Sequence, residues 1–136
     1  SPFFIARAAG SRAWDVDGNE YVDFNNALAS VTLGHADPDV TAAVTDQIGR
    51  GTIFSLSSEI EIAVAEAIVA AVPCAEQVRF GKNGSDATAG AIRAARAFTG
   101  RERVAVCGYH GWQDWYIGTT ARSKGVPEAT RALSHS

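Results

Sequence analysis

The chain has 136 residues, 46% of them hydrophobic and 20% charged, and a formal net charge of -3. That balance suits a globular domain with apolar content enough for a core, and it leaves no basic footprint for nucleic acid. No run approaches the ~18 apolar residues of a membrane span, and the opening SPFFIARAAG carries no charged leader before an apolar stretch, so a cytoplasmic protein without membrane partners is expected.

Cys74 and Cys107 are too few for a secreted disulfide scaffold and read as free thiols. The chain contains no methionine, starts at Ser1 and closes on the polar segment RALSHS, and it is expected to be a piece of something longer.

In chain order, AWDVDGNEYVDF sets Trp14, Val16, Tyr21, Val22 and Phe24 on either side of Asp17-Gly18-Asn19, which predicts a β-hairpin turning where Gly18 supplies a positive φ. Asp15, Asp17 and Asn19 do not make a calcium loop, because Gly18 stands at its fourth place rather than its sixth and Asn26 replaces the closing glutamate. Asp37 and Pro38 open a helix with Val40, Ala43, Val44 and Ile48 along one face, ended by Gly49 and Gly51. Ser58 and Glu61 have capping-box spacing before a second helix, whose apolar residues from Ile60 to Val72 stop at Pro73.

Val78-Arg79-Phe80 then predicts a strand, Ser85 to Phe98 a helix closed by Gly100, and Val104 to Cys107 an apolar strand. This is a β-α-β unit, whose strands are expected to lie parallel in an open α/β sheet. Beyond Gly111 a short helix in DWYIGTTARS is expected, and Lys124 to Ser136 reads as a loop. The predicted division is residues 1–56 as an N-terminal segment and 57–136 as the start of a larger domain.

Two loops can carry chemistry. In Asn83 to Thr88 the amides of Gly84, Ser85 and Asp86 stand at the positive end of a helix dipole, Gly84 admits close backbone approach, and the Ser85 and Thr88 hydroxyls can donate to a phosphate. The competing reading is a plain helix cap by Asn83 or Ser85. The Asp86 charge suits the first helical turn but repels a phosphate, so this side chain must turn aside to a neighbouring group. Tyr109, His110 and Gly111 follow the next strand, at the carboxyl edge where open α/β sheets bind ligands. An aromatic ring there can stack on a flat heterocycle, or it can be an ordinary packed tyrosine.

Other sites are weaker. Cys107 and His110 have metal-ligand spacing without a second pair, the GxSxG, GxGxxG and GxxxxGK[ST] signatures are absent, and His35 in LGHADP is expected to order a loop. Lys82 can neutralise phosphate charge, although a solvated surface lysine is the stronger reading.

The runs AWDVDGNEYVDF, LGHADPDV, VRFGKNGSDATAGAIRAARAFTGR and YHGWQDW, in this order, resemble the N-terminal half of the class III aminotransferases, especially the glutamate-semialdehyde aminomutase branch. The resemblance implies an α/β fold, the N-terminal portion of a type I pyridoxal-phosphate (PLP) transferase. It implies that Gly84 and Ser85, with Asp86 beside them, form the PLP phosphate cup, and that Tyr109, followed by His110, stacks on the pyridine ring. The family often has serine-glycine-threonine where Asn83, Gly84 and Ser85 stand, a change that keeps the glycine and the hydroxyl. It places Phe54 to Ser58 near the substrate side, and it implies a homodimer acting on a small amino-bearing aldehyde, ketone or sugar.

In that family a downstream lysine carries the cofactor and moves the proton, and a downstream aspartate keeps the pyridine nitrogen protonated. Lys82 and Lys124, the lysines of this chain, match neither position, so no catalytic residue is assigned and the segment alone is expected to be inactive. A non-catalytic phosphate-ligand binding or assembly module that keeps the cup is the alternative.

Overall fold

The structure, a computed structural model, describes residues 4–136. The chain divides into two compact units, Ser1–Ser58 and Glu59–Ser136.

The first unit opens with three antiparallel strands, β1 (Ile5–Ala9), β2 (Arg12–Asp15) and β3 (Glu20–Val22), in the order β1-β2-β3. The predicted hairpin is β2-β3, with Ala13 opposite Tyr21 and Gly18 at φ +87. Asp15 explains the turn: its carboxylate accepts from the Asp17 and Asn19 backbone N–H groups at 3.0 and 2.8 Å, from Asn19 Nδ2 at 2.9 Å and from Tyr21 Oη at 2.9 Å. Chiefly through the Asn19 side chain, these bonds hold the Asp15 carboxyl below its ordinary value, and the same carboxylate raises the Tyr21 phenol. The first of the residues that mimic a calcium loop, Asp15, thus uses its carboxylate to shape the turn.

After β3 comes α1 (Asn26–Ala29), a single turn of the opposite hand: Asn26, Ala27, Leu28 and Ala29 have φ of 52, 49, 59 and 68. Left-handed backbone costs an L-residue roughly 1–2 kcal/mol, so the turn exists because its polar groups are tied down. Asp23 Oδ1 accepts from the Asn25 and Asn26 N–H groups at 2.8 and 3.1 Å, Asn25 Oδ1 accepts from Leu28 N–H at 2.6 Å, and Ser30 Oγ donates to the Ala27 carbonyl at 2.7 Å.

His35 secures this arrangement, with Nε2 2.6 Å from Asp23 Oδ2. Its backbone exchanges two hydrogen bonds with Gly10, and Gly34, at φ +100, lies so close to Gly10 that an added Cβ would be 3.2 Å from its Cα. His35 orders its loop, as the sequence suggests. Helix α2 (Pro38–Arg50) follows, its Asp37 cap accepting from the Asp39 and Val40 N–H groups, and Gly51 ends it.

The second unit carries α3 (Glu59–Ala71) and α4 (Gly84–Thr99), the latter closed by Gly100 in the left-handed conformation. It continues through β4 (Val104–Ala105), α5 (Asp114–Ile117), α6 (Glu128–Arg131) and β5 (Ser134–His135). Two expectations are corrected here. Val78–Phe80 lies in no ladder among the described residues, and the parallel partner of β4 is β5, within the segment read as a loop. The reason is that apolar, β-branched sequence makes a strand only where a neighbour answers its N–H and C=O groups. Val104 N–H donates to the Leu133 carbonyl at 2.9 Å and Val106 N–H to the His135 carbonyl at 2.8 Å, so β5 supplies that answer for β4. The short helix expected after Gly111 is present as α5.

Ala13 and Tyr116 are the buried hydrophobic residues among those described, and α2, α3 and α4 have no buried residue. Ile60, Val64 and Val69 on α3 and Phe98 on α4 are exposed, Phe98 by 94%. Cys74 and Cys107 are free and exposed. Among the described residues no helix is long and apolar enough to cross a membrane.

Candidate functional site

The N-terminus of α4 and the loop after β4 face one another across a cleft of about 490 Å³, lined by Asn83, Gly84, Ser85, Thr88, Tyr109, His110, Gly111 and Trp112. A cleft of this volume accommodates a small organic ligand. The two loops singled out from sequence therefore come together.

On the helix side, Asn83 is extended and its Oδ1 accepts from Asp86 N–H at 3.0 Å. That cap corrects one expectation, because the Asp86 amide is spent inside the helix and the Gly84 and Ser85 amides remain at the cleft. The Asp86 carboxylate has turned aside to accept from Gln113 Nε2 at 3.2 Å, as the repulsion argument requires. Ser85 Oγ accepts a long bond, 3.4 Å, from Trp112 N–H, which leaves the hydroxyl proton available for a ligand. Thr88 differs from expectation: its hydroxyl lies 3.1 Å from the Ser85 carbonyl and 3.0 Å from the His110 carbonyl, so its one proton points to protein rather than to an anion.

On the loop side, Tyr109 is 78% exposed, with its ring edge-on to Tyr116 at 5.7 Å. One edge is thus fixed by packing while much of the ring stays accessible. The His110 ring stacks on Trp115 at 6.1 Å and packs at a steep angle to Tyr116 at 5.5 Å, and its carbonyl lies 3.0 Å from the Thr88 hydroxyl. Gly111 is buried at φ +104, and an added Cβ would overlap Ser85 Oγ and stand 3.0 Å from Ser85 Cβ. Only glycine brings the loop so close to the helix terminus. Trp112 and Gln113, which sequence reasoning passed over, link the same two loops, and the family-like run YHGWQDW was the signal available for them. Neither Lys82 nor Lys124 is among the lining residues.

Among solved structures, a transaminase with PLP bound matches 98% of this chain and 34% of its own, at TM-score 0.90 and 33% identity. The architecture is thus that of the N-terminal part of a fold-type I PLP-dependent transferase. The chain belongs to the class III aminotransferases, whose family model matches residues 1–134, and pyridoxal phosphate is the cofactor of that family. It is 44% identical over 138 residues to glutamate-1-semialdehyde 2,1-aminomutase of Methanothermobacter thermautotrophicus, covering 95% of this chain and 33% of that protein. It is 41% identical over 129 residues to 2'-deamino-2'-hydroxyneamine transaminase of Streptomyces kanamyceticus, covering 94% of this chain and 31% of that protein. The chain therefore spans about a third of the length of the curated relatives it matches.

Proposed function

We propose that the whole protein is a PLP-dependent aminotransferase or aminomutase, and that this segment supplies the phosphate cup and the ring-stacking face. The observation that carries the reading is the cleft itself, where a capped helix terminus with two remaining amides and a serine hydroxyl opposes an accessible tyrosine.

The donor set fits the cofactor. The Gly84 and Ser85 amides and the Ser85 hydroxyl can each donate to phosphate oxygens, and the α4 dipole favours the negative charge. The Asp86–Gln113 bond at 3.2 Å turns the one carboxylate of this terminus away from that charge. Tyr109 covers one face of the pyridine ring, restrains its tilt and excludes water from it. Bound there, the cofactor supplies an electron sink for the substrate carbon bearing the amino group. The lysine and aspartate that complete this chemistry belong to later motifs of the family, and this segment alone is inactive. The protein works as a cytoplasmic homodimer on a small amino-bearing aldehyde, ketone or sugar, a range that the differing names of its relatives support.

PLP titration of the full-length apoprotein tests the reading. Ser85→Ala weakens PLP binding by about 1–3 kcal/mol, the scale of a hydrogen bond to a charged group. Unchanged affinity makes Ser85 a structural hydroxyl only, and tight binding without amino-group transfer to any carbonyl substrate favours a non-catalytic module.

A further inference from the structure

We propose that Thr88 is a positioning residue, a strap that sets the distance between the phosphate cup and the aromatic platform without touching the cofactor; this rests on the functional reading above. In an open parallel sheet, two such loops are normally spaced by the hydrogen-bonded ladder of the strands that precede them. Among the described residues Val78–Phe80, ahead of the cup, is not paired with β4, ahead of Tyr109, so within this segment the bonds between the loops themselves hold them at their distance.

Three bonds cross between the loops: Thr88 Oγ1 to the His110 carbonyl at 3.0 Å, Gln113 Nε2 to Asp86 Oδ1 at 3.2 Å, and Trp112 N–H to Ser85 Oγ at 3.4 Å. The Thr88 bond is the shortest and the one that is partly buried, whereas the other two are exposed to competing water. Its anchor is the carbonyl of the residue next to Tyr109, so moving it moves the stacking ring. The Thr88 hydroxyl has a single proton, with the Ser85 carbonyl 3.1 Å away as the competing acceptor within the helix. The strap therefore has a built-in alternative: released from His110, the proton still has a partner, and the helix keeps its first turn.

The test uses the full-length protein and three readouts: PLP affinity, inorganic phosphate affinity by competition, and visible circular dichroism of bound PLP. Thr88→Val, of matching shape, lowers PLP affinity about 3- to 10-fold. It changes the sign or intensity of the visible band, because the ring changes tilt, and it leaves inorganic phosphate affinity within about twofold. Thr88→Ser restores both PLP readouts, and Thr88→Ala repeats the test should the valine variant fail to fold. Equal losses of phosphate and PLP affinity overturn the proposal by making Thr88 a direct phosphate ligand. An unchanged band and affinity in Thr88→Val overturn it as well. If Ser85→Ala weakens PLP while Thr88→Val does nothing, only the strap fails; if neither matters, the cup reading fails with it.

Discussion

Replacing Gly111 with alanine strains the structure in two separable ways. At φ +104 an L-residue sits where side chains rarely go, which costs on the order of 1–3 kcal/mol of fold stability. The new Cβ also overlaps Ser85 Oγ and lies 3.0 Å from Ser85 Cβ and 3.2 Å from its Cα. The hydroxyl can rotate away, but the Cα cannot, so the loops must part by a few tenths of an ångström. A rotated hydroxyl no longer donates to the phosphate, which removes roughly 1–3 kcal/mol of cofactor binding, or about 5- to 150-fold in affinity. Thermal unfolding of the full-length apoprotein reads the first effect, and PLP titration reads the second. In a Ser85→Ala background the hydroxyl is already absent, so Gly111→Ala costs less than about 1 kcal/mol of PLP binding, and the pair is coupled by about 1–2 kcal/mol. Additive penalties, or a single Gly111→Ala variant that binds PLP normally, refute the argument that Gly111 exists to let this loop approach Ser85.

Three other outcomes are expected. Asp23 is held below its ordinary value of 3.8, first by the His35 hydrogen bond and then by Asn25 N–H, so its contribution is present above that value and lost as pH falls through the lowered one. In Asp23→Asn the acid limb of an unfolding titration is flatter, and an unchanged limb disproves the linkage. Ala27 has φ 49 and ψ 49, so Ala27→Gly relieves about 1–2 kcal/mol of left-handed strain against about 0.5–1 of added chain entropy, giving equal or higher stability in denaturant. A loss of about 1 kcal/mol, the ordinary result within a right-handed helix, contradicts the left-handed turn. The isolated segment associates or aggregates, because α3 and α4 expose Ile60, Val64, Val69 and Phe98 and bury no residue. A monodisperse monomer in light scattering, with sharp near-ultraviolet signals from its three tryptophans, refutes this.

Features fixed within a few residues of themselves were determined by sequence alone. Asp17-Gly18-Asn19 makes a hairpin because its glycine takes the positive φ and Asp15 gathers the turn's donors. Asp37-Pro38 starts a helix because one residue caps its amides and the next needs no amide partner, and Gly100 stops another by turning left-handed. The pairing of two loops into one cleft was legible as well, through the order of the family-like runs. Tertiary structure decided what depends on distant partners. Val78–Phe80 and Val104–Cys107 look equally strand-like in sequence, yet the β4 ladder runs to Ser134–His135, since a strand is defined by the neighbour that accepts its hydrogen bonds. The left-handed turn at Asn26–Ala29 has no glycine to announce it, and it stands on bonds from Asp23, itself held by His35. Asp86 turns aside to Gln113, the Thr88 hydroxyl reaches the His110 carbonyl, and the Gly111 position has no free room for a Cβ because Ser85 lies against it. Each of those roles is a distance between residues more than 20 positions apart, which local propensity does not encode.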